Sequence, residues 1–514
     1  MVIRRKTLSR LFARVLFASS LPLALAAFPP VAKAVQNPHA LHLISVKSQT
    51  GKPVAREVTP VIAPPGSAVY EARRGDSLPS VARQYLKKTS YLTSSELADA
   101  IRQANSNRQG TFLHPGEQII IPGILDAPIV EKTVAVPKDF EARAIYLTGV
   151  MAGSDHGLRI VRHWREVGGN AVVFDIKDSD GIVNIAFDNP LATGQKHYIH
   201  DLPKFTRFLH SQNMHAIARI AIFRDEHLVT THPELAVKSH RTGQPWRENG
   251  KLVWTDPSNP KVQDYDIALA KFVAQSGVDE VQFDYVRFPA EGDQKDAGFN
   301  FQTDHPKWQR SEVIADFLKR AYAEVHPSGA LLSLDVFGIM AWQRPVDLAH
   351  TGQDIVAMAK HCDVLSPMIY PSHFFGMDGI AHPGDAPEHF IGESMDRFMK
   401  ITKDSGVVIR PWLQAFAWRT KTYSPKYVEV QIEVAKQKGG IGFLFWNANN
   451  DYSKPYAAMP EMLAAKAKYF RVDGPSAKDA APAKLEVTAP AAPAVTTPTP
   501  TVQPVSSPIK IWRH

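Results

Sequence analysis

Short apolar runs rich in β-branched and aromatic residues recur through the middle of the chain, at 142–149, 170–178, 215–223, 278–288, 331–338, 363–371, 407–416 and 440–449. Runs of this length, bounded by polar turns, read as strands buried on both faces. Between them lie stretches with apolar residues at helical spacing, at 157–166, 202–212, 262–276, 313–326, 352–360, 388–403 and 427–438. Eight strands alternating with helices predict an α/β fold of the (β/α)8 TIM barrel type, occupying residues 139–470. A doubly wound sheet is the rival arrangement, but no glycine-rich phosphate loop follows the first run.

Residues 67–123 have a different rhythm. Val69-Tyr70-Glu71-Ala72 alternates like a strand. Leu78, Val81, Ala82 and Tyr85 fall at helical spacing, and so do Leu97, Ala98, Ile101 and Ala104, ahead of Asn105. A turn at Pro115-Gly116 leads into a second strand at 118–121, closed by Pro122. Strand, helix, helix, strand make a small βααβ unit. On Gly75-Asp76-Ser77-Leu78, Asn105, and Leu113, Pro115, Gly116, Ile119, Ile121 and Pro122, the segment resembles a LysM module. That resemblance implies binding to peptidoglycan or another N-acetylglucosamine-containing glycan.

The two ends of the chain change the picture. Residues 1–34 begin basic, continue through an apolar run at 15–28 and finish on Ala32-Lys33-Ala34, as a secretory signal peptide does. The apolar run is shorter than the ~20 residues a spanning helix needs. Residues 35–66 are Pro-rich and polar and read as a linker. Residues 471–514, rich in Pro, Ala and Thr, read as a disordered tail. The net charge of +8 suggests a nucleic-acid partner until it is located: six cations and no acid lie in residues 1–34, leaving +2 elsewhere. Nucleic acid is therefore not the expected partner. The composition, 44% hydrophobic and 21% charged, excludes a mostly disordered or polytopic membrane chain. Cys362 is the one cysteine, so no internal disulfide forms, and it is expected to be an inert core residue. The expected location is the periplasm, the cell envelope or the outside.

In such barrels the chemistry sits at the C-terminal ends of the strands, and residues of equal parity share a face. The fourth run ends Val281-Gln282-Phe283-Asp284-Tyr285-Val286-Arg287, and the fifth contains Leu334-Asp335-Val336-Phe337. A carboxylate inside an apolar strand is costly without a partner or a purpose. Asp284 can be a structural clamp with Arg287. Two acids at neighbouring strand ends are also what glycoside hydrolysis uses, one as nucleophile or base and one as acid. Asp284 and Asp335 are the candidate catalytic pair. Asp284 is assigned the ionised role if Arg287 reaches it, and Asp335, among apolar neighbours, the acid with a raised pKa. Neighbouring strands favour the ~5–5.5 Å carboxyl spacing of retaining enzymes.

Candidate substrate-binding residues are Asp175 and Lys177, of equal parity on the second run, with Asp178 beside them. Arg219 inside the third run, Arg287 and Tyr370 at the ends of the fourth and sixth, Trp412 and Gln414 of equal parity on the seventh, and Trp446 and Asn447 closing the eighth complete the set. Aromatic faces stack on sugars, and their hydroxyls need donors and acceptors. Asp178-Ser179-Asp180-Gly181 looks like part of a calcium loop, but Ile176 and Phe187 stand where oxygen ligands are required. There is no His-Glu-x-x-His, no Cys/His cluster and no Gly-x-Ser-x-Gly, so no metal or cofactor is expected.

Several motifs are specific together: His232-Pro233-Glu234-Leu235-Ala236-Val237, Trp254-Thr255-Asp256-Pro257-Ser258-Asn259-Pro260, Tyr265, and Phe283-Asp284-Tyr285-Val286-Arg287-Phe288-Pro289. With Phe174-Asp175-Ile176-Lys177-Asp178 and Ser366-Pro367-Met368-Ile369-Tyr370-Pro371, residues 140–450 resemble the bacterial putative glycoside hydrolase family, a domain-of-unknown-function barrel. The resemblance implies a TIM barrel related to carbohydrate-active enzymes. In similar barrels of the alpha-amylase type a fourth-strand Asp is the nucleophile and a fifth-strand acid the proton donor, places that Asp284 and Asp335 match. Gln414 departs from that pattern, standing where those barrels carry a stabilising Asp. The expectation is an exported glycosidase acting on a bacterial cell-wall or extracellular polysaccharide. A non-catalytic carbohydrate-binding barrel and another polysaccharide-modifying enzyme, a deacetylase or lyase, stay open as alternatives.

Overall fold

A computed structural model describes residues 62–472. The expected signal peptide, most of the 35–66 linker and nearly all of the 471–514 tail lie outside the described residues.

The N-terminal unit is β1 (Ser67–Glu71), α1 (Leu78–Tyr85), α2 (Ser94–Ala104) and β2 (Gln118–Pro122), with β1 and β2 antiparallel. Ser77 caps α1 in a reciprocal box with Ser80, and the Thr93 hydroxyl accepts the Glu96 N–H to start α2. Asn105 then stitches the helix end to the sheet. Its amide donates to the carbonyls of Ile101 (2.7 Å) and Ile120 (2.9 Å), and its Oδ1 accepts the Ile120 N–H at 2.9 Å. Leu78, Val81, Leu97, Ile101, Ile119 and Ile121 fill a small core of its own.

The remainder closes into a parallel barrel. Its strands are β3 (Arg143–Leu147), β4 (Ala171–Lys177), β5 (His215–Ala221), β7 (Glu280–Asp284), β9 (Leu331–Phe337) and β10 (Val364–Met368). The seventh position is split into β11 (Val408–Ile409) and β12 (Trp412–Gln414), and β13 (Phe443–Trp446) pairs back onto β3 to complete the circle. The split falls at Pro411, which has no N–H for the ladder. Two short strands, β6 (Lys238–Ser239) and β8 (Ala297–Gly298), pair antiparallel in an excursion outside the barrel. The closed (β/α)8 TIM barrel is thus present, with helices such as Asp155–Glu166, Leu202–Ser211, Pro260–Gln275 and Arg310–Val325 packed around it.

The fifth gap differs from the expected helix at 352–360. It holds Pro345–Thr351 and Ile355–Met358, broken at Gly352, whose φ of +72° is a left-handed stop. A helix at Ser453–Ala464 follows β13, in addition to the seven stretches at helical spacing named from the sequence.

The main apolar core lies between strands and helices, as parallel sheets require. Inside the barrel, Ala144, Ala171, Val173, Ile217 and Leu444 leave room for large polar groups, and Phe140 joins them. Among these, Arg410 Nη1 binds Glu280 at 3.0 and 2.8 Å, His215 Nε2 meets Glu280 at 3.1 Å, and Arg410 Nη2 donates to the Phe140 carbonyl at 3.2 Å. Burial raises Glu280, but Arg410 and His215 outweigh it and bring its pKa down to about 2.

The βααβ unit packs on the barrel's flank. Lys204 Nζ donates to the Leu86 carbonyl at 3.0 Å, Thr93 bonds Asp155, and Arg162 pairs with Glu96 at 3.3 Å. The chain between the two units is fastened by Glu131, which binds Arg207 at 2.7 Å and His210 at 2.9 Å. Among the described residues no helix is long and apolar enough to cross a membrane.

Candidate active site

Arg219 organises the barrel mouth. It lies opposite Asp175 across the β4–β5 ladder, and its guanidinium meets four carboxylates. Nη1 donates to Asp175 Oδ1 at 2.5 Å and to Asp178 Oδ1 at 3.3 Å. Nη2 donates to Asp284 Oδ2 at 2.6 Å, and Nε stands 3.8 Å from Asp335 Oδ2. The register explains the convergence. Phe283 on β7 pairs with Leu334 on β9, so the next residues, Asp284 and Asp335, leave adjacent strands at one level.

The two acids are held differently. Asp284 accepts Arg219 on one oxygen and, at 2.6 Å, the N–H of Tyr285 on the other. Tyr285, the first residue beyond β7, adopts φ +52°, a left-handed conformation that a bulky residue rarely takes. Asp335 is more deeply buried, its Oδ1 accepting Trp412 Nε1 at 2.6 Å. Burial, reinforced by the charge of Asp284, pushes Asp335 well above the usual carboxylate range, and Arg219 and Trp412 only partly oppose this. Burial also pushes Asp175 up, to about 7, against the pull of Arg219.

Aromatic rings wall the cluster. Tyr146 lies 4.3 Å from Trp446 and 6.4 Å from Trp412, centroid to centroid, and the Arg219 guanidinium faces Tyr146 at 5.7 Å and Trp446 at 5.8 Å. The Tyr146 hydroxyl donates to Asp175 Oδ2. Burial and then the charges of Asp335 and Asp284 keep the Tyr370 phenol well above its ordinary pKa, leaving a neutral hydroxyl beside the acids. Tyr146 went unnoticed in the sequence. Its parity with inward-facing Ala144 was the available signal, but nothing local named Asp175 as its partner.

Four candidate residues stand elsewhere or serve another purpose. Lys177 does not share the face of Asp175. The β4–β5 register shifts between these two residues, so Asp175 pairs with Arg219 but Lys177 with Ile220. The extra residue turns Lys177 out of the barrel, onto Asp225 at 3.0 Å and Asp266 at 2.7 Å. Arg287 does not pair with Asp284. It bonds the Phe288 carbonyl at 3.0 Å and lies over Phe337 at 4.3 Å and Trp254 at 4.7 Å. Gln414 braces loops, accepting the Ser372 N–H at 3.2 Å and donating to the Phe416 carbonyl (2.9 Å) and Thr420 Oγ1 (2.8 Å). Asn447 donates to the Ala415 carbonyl at 2.6 Å and accepts the Asn449 N–H at 2.8 Å, ordering its own turn. Asp175, Asp178, Arg219, Tyr370, Trp412 and Trp446 are the binding candidates that do surround Asp284 and Asp335.

Among the described residues no group of three or more His, Cys, Asp or Glu side chains is disposed to hold a metal ion. Burial raises the Cys362 thiol far above its ordinary pKa, which makes it a poor nucleophile.

A parallel eight-stranded barrel with paired acids and aromatic walls at its C-terminal mouth is a glycosidase-like barrel. The chain belongs to the family described as "Putative glycosyl hydrolase domain", whose model matches residues 144–452, more than half its length. Solved structures resemble it at low overall superposition. The PgaB glycoside hydrolase domain from Bordetella bronchiseptica is 14% identical, with 65% of this chain and 100% of that one covered and a TM-score of 0.47. The catalytic domain of beta-amylase from Paenibacillus polymyxa is 11% identical, covering 65% and 100%, with a TM-score of 0.44. A hypothetical protein from Ruminiclostridium thermocellum is 37% identical over 37% of this chain and 97% of its own, with a TM-score of 0.34. No curated protein matches the chain.

Proposed function

We propose that the protein is an exported glycoside hydrolase that cleaves a bacterial cell-wall or extracellular polysaccharide by a two-carboxylate mechanism. The observation that carries this reading is the unequal pair at the mouth: Asp284 held as an acceptor on both oxygens, Asp335 buried with a raised pKa. Environments that push two acids apart are how one site supplies both a nucleophile and a proton donor. In this mechanism Asp335 protonates the glycosidic oxygen while Asp284 attacks the anomeric carbon and the leaving sugar departs. Asp335, now a carboxylate, takes a proton from water, and that water releases the sugar from Asp284 and restores both groups. The adjacent strands favour retention of configuration. Arg219 keeps Asp284 aimed, and Trp446 and Tyr370 offer ring faces to the sugar.

The βααβ unit is proposed as a LysM-like glycan-binding module that holds the barrel near peptidoglycan. The antiparallel β1–β2 pairing and the Asn105 stitch support this reading. Export rests on the N-terminal basic, apolar and Ala-Lys-Ala pattern.

The test is a screen of peptidoglycan and bacterial exopolysaccharides for released reducing ends, run beside Asp284→Asn. Release by the wild type and none by the variant supports the assignment, and equal release by both rejects it. Isolated residues 67–123 should sediment with insoluble peptidoglycan, and no retention above a control protein would remove the module's proposed role.

A further inference from the structure

Beyond the acid pair and Tyr370, the mouth carries a line of rings that the mechanism does not use. From Tyr370 the line passes to Phe416 at 5.6 Å, from Phe416 to His373 at 6.0 Å, and from His373 to Trp418 at 5.0 Å. Phe375 stands edge-on to Trp418 at 5.8 Å. These residues follow β10 and β12, so the line starts beside Asp335 and runs outward over the C-terminal rim. Trp418 is 38% exposed, unusual for an indole on a loop.

At the outer end sits Arg419. Its guanidinium lies over Phe375 at 4.0 Å and over Trp418 at 4.6 Å, and among the described residues it makes no ion pair. The nearby carboxylate of Asp385 is engaged by the N–H groups of Lys421 (2.7 Å) and Thr422 (2.9 Å). Asp378 is paired with His389 at 2.8 Å.

The loop is built to hold this arrangement. Gln414 fastens it through Phe416 and Thr420, and Arg419 has φ +51°. The Arg419 carbonyl lies only 2.3 Å from where a Cβ would sit on Gly384, so that position admits glycine alone. A left-handed, exposed arginine on a braced loop, its guanidinium close to two rings set edge-on to one another and without a carboxylate partner among the described residues, is arranged to receive an anion. A carboxylate matches that fork in shape and charge.

We infer that Phe375, Trp418 and Arg419 form an outer subsite that binds a carboxylate-bearing sugar of a polysaccharide chain running from the acid pair over the rim. The inference rests on the glycosidase reading of the mouth, with which the shelf is continuous through Tyr370. Two sources carry the required group: a uronic acid, and the lactyl substituent of a peptidoglycan glycan strand whose carboxyl is free of its peptide. Trp418 supplies a stacking face for either, and Arg419 selects the charge.

Affinity electrophoresis of the full chain in the Asp284→Asn background, where turnover is blocked, tests this. Gels contain polygalacturonate, alginate, peptidoglycan glycan strands stripped of their peptides by an amidase, or neutral dextran and glycol chitin. The parent should be retarded by at least one acidic polymer. Arg419→Gln should weaken that retardation on the order of tenfold and leave neutral polymers unchanged, as loss of one charge-assisted fork predicts. Trp418→Ala should weaken binding to acidic and neutral polymers together. Retardation by uronate polymers or by glycan strands tells which carboxylate is read. The uronate polymers contain no N-acetylglucosamine, so the βααβ unit does not contribute to those gels. The inference is overturned if no acidic polymer retards the parent, or if Arg419→Gln binds acidic polymer as the parent does. Failure of the glycosidase reading shows separately, as no reducing ends from any polymer with the wild type, and leaves the binding result standing.

Discussion

The barrel interior buries charge at two levels, and the two are built differently. Lower in the barrel, Glu280 faces Arg410 in a two-bonded pair with His215 on its flank, and its carboxyl is brought down to about 2. At the mouth, one guanidinium, Arg219, is shared by Asp175, Asp178, Asp284 and Asp335, and two of those acids are pushed up instead. The lower pair balances its charges and serves the fold. The upper cluster has more acid than cation, so burial wins over attraction and a proton is retained near neutrality. Counting buried charges would not separate the two regions; the ratio of acids to cations does.

The largest expected difference is in chemistry. Asp284→Asn should lower kcat on the order of 10⁴-fold, the scale of losing a principal catalytic group, while the circular dichroism spectrum is unchanged. Retained turnover in a folded variant would make the mouth cluster structural, like the lower pair.

The next effect belongs to the lower level. Glu280→Gln leaves Arg410 buried without its counter-charge, and urea unfolding should show a loss of about 3–5 kcal/mol. A loss below about 1 kcal/mol would mean that the pair is not the balanced clamp described above.

Asp335→Asn separates the levels again. It should lower hydrolysis of unactivated glycosides by about 10²–10⁴-fold, sparing aryl glycosides whose leaving groups need no proton. It should also raise the melting temperature, since it removes a carboxyl whose ionised form is disfavoured by burial and by Asp284. The wild-type rate should fall with rising pH as Asp335 ionises, and that limb should vanish in the variant. An unaltered basic limb would assign the acid to another group.

The smallest effect is the pH dependence of stability, which has opposite signs at the two levels. Folded Asp175 titrates at about 7, above its unfolded value, so it holds a proton the unfolded chain has released, and stability falls as pH rises through that window. Glu280, lowered to about 2, contributes stability above the ordinary carboxylate pKa and loses it as pH falls toward 2. Melting temperatures between about pH 5 and 7.5 should fall less steeply in Asp175→Asn than in the wild type. Equal slopes would show that Asp175 does not carry the shift.

Much of this was legible in the residues. The alternation of apolar runs and helical stretches stated the barrel, because strands buried on both faces must be apolar along their length and each crossover needs a helix. Asp284 and Asp335 stood out because an acid in such a run is costly without a purpose. What local pattern could not carry was anything set by contact between distant strands. Parity put Lys177 beside Asp175, and a single bulge removed it from the mouth. Adjacency offered Arg287 to Asp284, whereas Arg219, 65 residues away, holds it. Gln414 and Asn447 had the chemistry of sugar binders and became loop braces, because unpaired backbone groups at strand ends claimed them first. Sequence alone determined the barrel and the types of group at its mouth. Which acid faces which cation, and therefore which one keeps its proton, was decided only when the closed barrel brought four carboxylates to one guanidinium in a place with little water.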